Sequence, residues 1–232
     1  MAEIVPKIEY KPENKNVSVV LIGVFNPLMF HPKWFGANDI ISRSEINAVL
    51  SNKANPCIVV PNFAVFNTTQ LYIQVQEGHF SFTGIKEPFC MVKDVVKKTF
   101  ERLEAVPVSA MGINISSHFR MPNLSKFQEF ADRISPKDIW KDFLGDNVSG
   151  DDRTGGLVSM QMMNPKEDNS GCINVNIERS VRFFPGIFIN CNDHYQFDGN
   201  TDAETVMQKL EDNFDASIKK SLEIQNSLFK DL

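Results

Sequence analysis

Alternating apolar and polar positions predict a chain of short strands and amphipathic helices. The clearest strand lies within 69–77, where Leu71, Ile73 and Val75 alternate with polar residues. This period of two is typical of a strand with one buried side, whereas spacings of three and four indicate helices. The predicted strands cover 17–25, 57–66, 69–77, 79–83, 106–119, 157–163, 173–178 and 181–192, and the predicted helices cover 44–51, 88–103, 124–134, 139–144 and 201–229.

Two of the predicted helices begin with recognisable capping signals. Pro88 is predicted as the first residue of its helix, because proline is favoured at that position. Thr201 and Glu204 match a capping box, in which a hydroxyl and a carboxylate satisfy backbone N–H groups of the first turn. An apolar stripe that begins at Val206 follows, so we expect a long C-terminal helix.

The two halves of the chain share one order of predicted elements, β-α-β-β-β-α. We therefore predict an α+β fold in which two tandem repeats, residues 1–105 and 106–232, form one compact pseudo-symmetric body. A helix laid across an antiparallel sheet buries one side of the sheet and leaves the other to water. Pairing of edge strands between the repeats then gives a curved antiparallel sheet backed by long helices.

This order of elements resembles the helix-grip and TATA-binding-protein-like folds, in which two long helices back a saddle-shaped sheet. The chain is also similar to a group of poorly characterised bacterial proteins of this length, with a Phe- and Pro-rich start and a C-terminal amphipathic helix. The resemblance implies the architecture and, for helix-grip folds, a cavity between helices and sheet. It assigns no role to any residue.

Charge and cysteine content narrow the classes of function. The net charge is −5, and the acidic excess falls in residues 121–232. Because nucleic-acid-binding domains are normally basic, nucleic acid is an unlikely partner. The four cysteines include no CxxC pair, which disfavours a zinc site and indicates reduced thiols. Residues 1–10 lack the apolar core of a secretion signal, and no window is apolar enough to cross a membrane, so we expect a cytoplasmic protein.

Polar positions on the predicted strands define a candidate binding surface. Tyr72, Gln74 and Gln76 share one side of their strand, and Asn174 and Asn176 share one side of theirs. Such a surface is neutral and rich in amides, which bind peptide groups or base edges, or simply face water. The candidate residues are Trp34, Tyr72, Gln74, Gln76, Asn114, His118, Asn174, Asn176 and His194, with Ser116 and Glu178 beside them.

Trp34 and Trp140 both lie in aromatic segments outside the predicted strands. Large aromatic residues are buried on average, so we predict that both fill the core. The alternative is that they anchor a partner, because aromatic anchors concentrate at the centres of interfaces. Trp34 is kept among the candidate residues for this reason.

Few residues suggest catalysis. Asp193 and His194 could act as an oriented base beside Ser116 or Ser117, but neighbouring strand residues point to opposite sides of a sheet. The Gly- and Asp-rich segment 149–156 matches no phosphate-binding motif. Its paired aspartates would repel phosphate and could instead hold Mg²⁺, but its composition is that of a flexible loop.

The leading hypothesis is a non-enzymatic protein-binding or assembly module of a cytoplasmic complex. Its partner would be another protein or a second copy of this chain, with no membrane, metal or cofactor involved. The alternative is a small-ligand-binding protein or hydrolase with a cavity between sheet and helices. The third hypothesis is nucleic-acid contact through the saddle of the sheet, which the acidic charge disfavours.

Overall fold

The strands follow the alternation in the sequence. A computed structural model describes residues 10–144, 156–230 and 232. The strands are β1 (Asn14–Gly23), β2 (Ile58–Val60), β3 (Phe63–Asn67), β4 (Leu71–Gln76), β5 (His79–Gly84), β6 (Val108–Arg120), β7 (Ser159–Pro165), β8 (Gly171–Arg179) and β9 (Gly186–Thr201). The helices are α1 (Pro32–Ala37), α2 (Arg43–Ser51), α3 (Cys90–Phe100), α4 (Leu124–Ile134), α5 (Lys141–Leu144) and α6 (Ala203–Leu228), with 3-10 helices at Pro27–Phe30 and Lys137–Trp140.

The nine strands of the described residues join one open antiparallel sheet in the order β2-β3-β4-β5-β1-β6-β9-β8-β7. At its centre β1 pairs with β6, from Asn14 opposite His118 to Gly23 opposite Val108. Because β1 and β6 open the two halves of the sequence, the halves are joined through their first strands. The predicted α+β class with an antiparallel sheet is confirmed.

The helices cover one side of this sheet. Val19 and Leu21 of β1 are fully buried beneath them. The long helix α6 packs against β6, β9 and α3, and its apolar stripe, which includes Leu210 and Phe214, is fully buried. On the β2–β5 side the same core continues into an aromatic cluster, in which the ring of Phe35 lies near those of Phe66 and Phe82. Removing this apolar surface from water is the main force that holds helices and sheet together.

An ion-pair network joins α3 to α6. Lys93 Nζ and Lys97 Nζ bind the two carboxylate oxygens of Glu211 at 2.8 and 2.5 Å. Hydrogen bonds from the two ammonium groups lower the pKa of Glu211 to about 2. The network ties the last helix of the first half of the chain to that of the second.

Two predicted strands have different boundaries in the structure. Segment 57–66 is not one strand but the hairpin β2–β3, because Pro61 and Asn62 form its turn and are typical turn residues. The predicted strand 181–192 begins only at Gly186 and continues to Thr201. Pro185 has no N–H to donate to a neighbouring strand, so regular pairing starts after it.

Both predicted capping signals are wrong in detail. Helix α3 begins at Cys90, so Pro88 precedes the helix and is not its first residue. Helix α6 is capped by Asp202, whose Oδ1 accepts a hydrogen bond from Thr205 N at 2.7 Å. The Thr201 hydroxyl instead donates to the carbonyl of Asp198. The long C-terminal helix itself is confirmed.

Within the described part of the chain, no helix has the length and apolarity required to span a lipid bilayer.

Candidate functional site

The side of the sheet opposite the helices carries two rows of uncharged polar residues. Residues directly opposite each other on paired strands point to the same side, so the register identifies each row. One row crosses six strands, from β4 to β8. It consists of Tyr72, Thr83, Ser18, Asn114, Asn192 and Asn174. The other crosses five strands and consists of Asn16, Ser116, Asn190, Asn176 and Gln161.

We call the side that bears these two rows the amide face. Gln74, Gln76 and His194 belong to it as well, because each lies two or four positions from a row member on the same strand. No residue of either row carries a charge. Glu178 lies at the margin of the face, where its carboxylate accepts a hydrogen bond from Asn176 Nδ2 at 2.6 Å. The face therefore offers donors and acceptors without a strong field of either sign.

Hydrogen bonds within the amide face hold some of its side chains in place. Ser116 Oγ donates to Asn190 Oδ1 at 2.9 Å. Tyr72 OH donates to Gln74 Oε1 at 3.2 Å, but both residues lie on the more exposed β4. Most row members are half-buried by their neighbours, so few rotamers are open to them. Because these polar side chains are already restricted to few rotamers, they lose little conformational entropy when a partner binds.

Asn192 lies between Asn114 and Asn174 in the first row and has an unused acceptor. Its Oδ1 is buried and accepts no hydrogen bond from any described residue. The oxygen lies over Gly112 of the adjacent strand, where a Cβ atom would come within 2.7 Å of it. A side chain at position 112 would therefore push the Asn192 amide out of its present position. A buried acceptor without a donor costs about 1–3 kcal/mol.

The structure brings most of the predicted surface together. Tyr72, Gln74 and Gln76 lie on the same side of the sheet as Asn114, Asn174 and Asn176, although other strands separate β4 from β6 and β6 from β8. His194 joins them on β9, where its Nε2 lies 3.4 Å from Gln196 Oε1.

His118 lies at the margin of this face and is covered by a loop. Its Nδ1 contacts Ser180 Oγ at 2.9 Å, and its ring packs against Phe183 and Phe188. Burial, with a smaller contribution from the charge of Arg182, lowers the pKa of His118. The buried, hydrogen-bonded ring anchors the loop that precedes β9.

The two tryptophans differ in their surroundings. Trp34 lies on the helix side, away from the amide face, and its ring packs edge-on against Phe30 and Phe35 of the core. Trp140 is 47% exposed and contacts Phe143, which is 82% exposed. The prediction that Trp140 fills the core is therefore wrong.

Asn190 and Asn192 were missed among the candidates, although both lie at the centre of the rows. The alternation in Ile189-Asn190-Cys191-Asn192 carries the signal, since it resembles the pattern of β8 that identified Asn174. Sequence alone does not show that β9 lies between β6 and β8, and that position makes these two residues central.

A second polar cluster lies on the helix side, beneath α6. Lys166 Nζ contacts Asp193 Oδ1 at 2.6 Å, with both side chains less than one-fifth exposed. The other oxygen, Asp193 Oδ2, accepts hydrogen bonds from Tyr195 OH at 2.9 Å and Ser217 Oγ at 2.5 Å. Burial is the largest influence on both neighbours, lowering the pKa of Lys166 and raising the pKa of Tyr195. The cluster links the β7–β8 hairpin to β9 and α6.

A cleft of about 560 Å³ adjoins this cluster, between the end of β9 and the first turns of α6. Tyr195 and Phe197 supply aromatic surface, whereas Glu204, Lys209 and Asp212 supply charges of both signs. Ligand pockets are usually lined mainly by apolar side chains with a few converging polar groups. Most of the residues that line this cleft are instead polar or charged.

The arrangement of Asp193 and His194 beside a serine, which the sequence disfavours, is not assembled. Asp193 faces α6, whereas His194 lies on the amide face, as expected for neighbours on a strand. Ser117 is buried, and its Oγ has no hydrogen-bond partner among the described residues. Residues 149–155 of the Gly- and Asp-rich segment lie outside the described residues. Among the described residues, no three His, Cys, Asp or Glu side chains are grouped to hold a metal ion.

No protein-family model matches this chain, and no curated protein matches its sequence. Its function must therefore follow from the chemistry of its own surfaces.

Proposed function

We propose that this chain is a non-enzymatic binding or assembly module of a cytoplasmic complex, and that its amide face docks another protein. The observation that carries the proposal is the pair of uncharged polar rows across the centre of the sheet. The centres of protein–protein interfaces are depleted of charged residues, because each buried charge must lose its hydration. Ordinary solvent-facing strands have no such constraint and can carry charged residues.

The unused acceptor on Asn192 supports a protein partner. Once the Asn192 side chain rotates to expose this buried oxygen, backbone N–H groups, and the side-chain N–H groups of Asn, Gln or Arg, can donate to it and remove the penalty of leaving it unpaired. The amides of Asn114 and Asn174 lie on either side of Asn192 in the same row, so one extended segment could contact all three.

The chemistry of the face disfavours the other two hypotheses. Nucleic acid requires cations for its phosphates, and neither row contains Lys or Arg. A small apolar ligand requires an apolar pocket, and the cleft beside Tyr195 is lined mostly by polar and charged side chains. A protein surface with exposed peptide groups fits the amide face better than either.

The same proposal includes a tandem repeat. Counted outward from the central pair of β1 and β6, the strands of the first half follow the order β1-β5-β4-β3. Those of the second half follow the order β6-β9-β8-β7. Each half ends in a helix, α3 or α6, and the two helices contact each other. These matched orders support two copies of one β-α-β-β-β-α unit, with β2 as an addition to the first copy. Repetition would explain how one continuous face came to span both halves.

Photo-crosslinking in living cells tests the proposal. p-Benzoylphenylalanine at position 72 replaces a tyrosine of similar shape at the end of the first row, where Tyr72 is 39% exposed. We expect ultraviolet light to produce a discrete adduct whose second component is one protein, identified by mass spectrometry. The matched control places the same probe at Ala216, an exposed position of α6 on the helix side.

A second variant shows whether the adduct depends on the face. Asn114→Lys and Asn174→Lys introduce charges on either side of Asn192 in the row without changing the helix side. We expect these substitutions to reduce the position-72 adduct at least tenfold while the circular dichroism spectrum is retained. Equal adducts at positions 72 and 216, or an adduct that survives both substitutions, would contradict the proposal.

A further inference from the structure

The two edges of the sheet differ in length. At one end β2 has three residues, and at the other β7 has seven. β7 pairs with β8 on one side only, and among the described residues no strand pairs with its other side. An edge strand of this length presents a row of unpaired backbone groups to which another strand can add.

The hydrogen-bond register identifies which backbone groups are free. Lys166 N donates to the carbonyl of Gly171, and Arg179 N donates to the carbonyl of Val158. In antiparallel pairs these bonds involve every second residue, so even-numbered positions of β7 point their N–H and C=O groups at β8. The odd-numbered residues Ser159, Gln161 and Met163 therefore present their N–H and C=O groups at the free edge.

Nothing in β7 protects this edge. Natural edge strands are blunted by charged side chains, bulges, an internal proline or short length. The sequence from Ser159 to Pro165 contains no charge, its register with β8 is regular, and its proline is the last residue. Met162 and Met163 are 58% and 63% exposed. The edge is thus uncharged, apolar in part and long enough to pair.

We propose that β7 pairs antiparallel with β7 of a second copy of this chain, about a twofold axis at Met162. The strand is self-complementary in this register: Gln161 faces Met163 of the second copy, and each exchanges both backbone hydrogen bonds with the other. Ser159 N–H donates to the carbonyl of Pro165 of the second copy. Because Pro165 has no N–H group, this pair leaves no donor of Pro165 without an acceptor. The two sheets become one, and no like charges meet across the axis.

The side chains near the axis favour the same occupant. The two Met162 residues form the closely spaced central pair on the helix side, and flexible Met side chains pack well against one another. Beside the start of β7, Trp140, Phe143 and Val158 line a small apolar pocket that extends the surface available for contact. A strand-edge interface is smaller than a standard one, so we expect a dissociation constant of about 1–100 µM.

This pairing uses backbone groups at the free edge of β7 and shares with the amide face only the outermost residues on that strand, such as Gln161, so the two proposals can fail independently. Sedimentation velocity of the full chain between about 1 and 200 µM tests self-association, and we expect a reversible monomer–dimer equilibrium. Met163→Lys should abolish the dimer, because a charge at the edge would meet Gln161 of the second copy without a counter-ion. The matched control is Met29→Lys, which places a charge at another exposed methionine in a different part of the fold.

A disulfide tests the register itself. Met162→Cys places two thiols at the closely spaced, non-hydrogen-bonded pair on the axis, and we expect a covalent dimer in a glutathione redox buffer. Met160→Cys is the control, because this register puts Asn164 of the second copy opposite it and leaves its thiol unpaired.

Three results would overturn the proposal. They are a chain that stays monomeric at all concentrations, a dimer that Met163→Lys leaves intact, or protection of the Gln161 and Met163 amides from hydrogen exchange at concentrations where the chain is monomeric. The last result would mean that another part of the same chain covers the edge.

Discussion

The contact between Lys166 and Asp193 gives the sharpest stability prediction. Replacing Lys166 by Met keeps the length of the side chain and removes the ammonium group that lies 2.6 Å from Asp193 Oδ1. Breaking a buried ion pair by removing one partner typically costs 3–5 kcal/mol, because the remaining charge stays buried. Asp193 keeps two hydroxyl donors, Tyr195 and Ser217, and both charged side chains retain some exposure. We therefore expect a loss of about 2–3 kcal/mol.

The assay is equilibrium unfolding in urea, with the slope of free energy against denaturant unchanged. For a chain of this size the melting temperature should fall by on the order of 5–10 °C. Burial outweighs the attraction of Asp193 in lowering the pKa of Lys166. The pair as a unit is thus not strongly stabilising, so Lys166→Met with Asp193→Asn should recover at least about 1 kcal/mol of the loss.

The control is Lys219→Met, which removes an exposed ammonium from α6 and should change stability by less than about 0.5 kcal/mol. The reasoning is refuted if Lys166→Met is as stable as this control. It is also refuted if the effects of the two substitutions at 166 and 193 simply add.

Two further predictions concern pH. The ion pairs with Lys93 and Lys97 lower the pKa of Glu211 to about 2, below its ordinary value of 4.5. The stabilising contribution of its carboxylate is therefore present above pH 4.5 and is lost as pH falls towards 2. Acid titration followed by circular dichroism should show a shallower loss of stability over this range in Glu211→Gln than in the parent. Burial lowers the pKa of His118 below 6.5. The folded chain is therefore most stable with respect to this residue above pH 6.5, where the ring is neutral, and loses stability as pH falls below that value. In His118→Phe, the melting temperature should change less between pH 7 and 5 than in the parent, and an unchanged slope would refute the assignment.

The sequence predicts best those helices and strands in which a continuous pattern of apolar residues within the element itself marks the buried side. Strict alternation from Leu71 to Gln76 predicts β4, and the apolar stripe predicts α6, because one side of each meets the core along its whole length. The errors fall where single residues override the pattern. Pro61 and Pro185 interrupt apolar runs that otherwise read as continuous strands.

Alternation within single strands also predicts part of the amide face. Alternation within one strand shows that Asn174 and Asn176 share a side, and it needs no knowledge of the neighbours. The order of strands decides that Asn192 lies between Asn114 and Asn174. The contact between Lys166 and Asp193 was not predicted, because it joins a hairpin turn to a strand that lies beyond β8, and no local pattern encodes such a pairing.

Thiol labelling in cells tests most directly whether the sheet surface opposite the helices is covered by a partner. Ser18→Cys places a thiol of nearly the same size at the centre of the six-residue row, and the native, exposed Cys90 serves as the internal reference. If a protein docks there, the labelling rate at position 18 relative to Cys90 should be several-fold lower in cells than in the purified chain. An equal ratio in both settings would mean that this surface faces water, and the proposed function would be wrong.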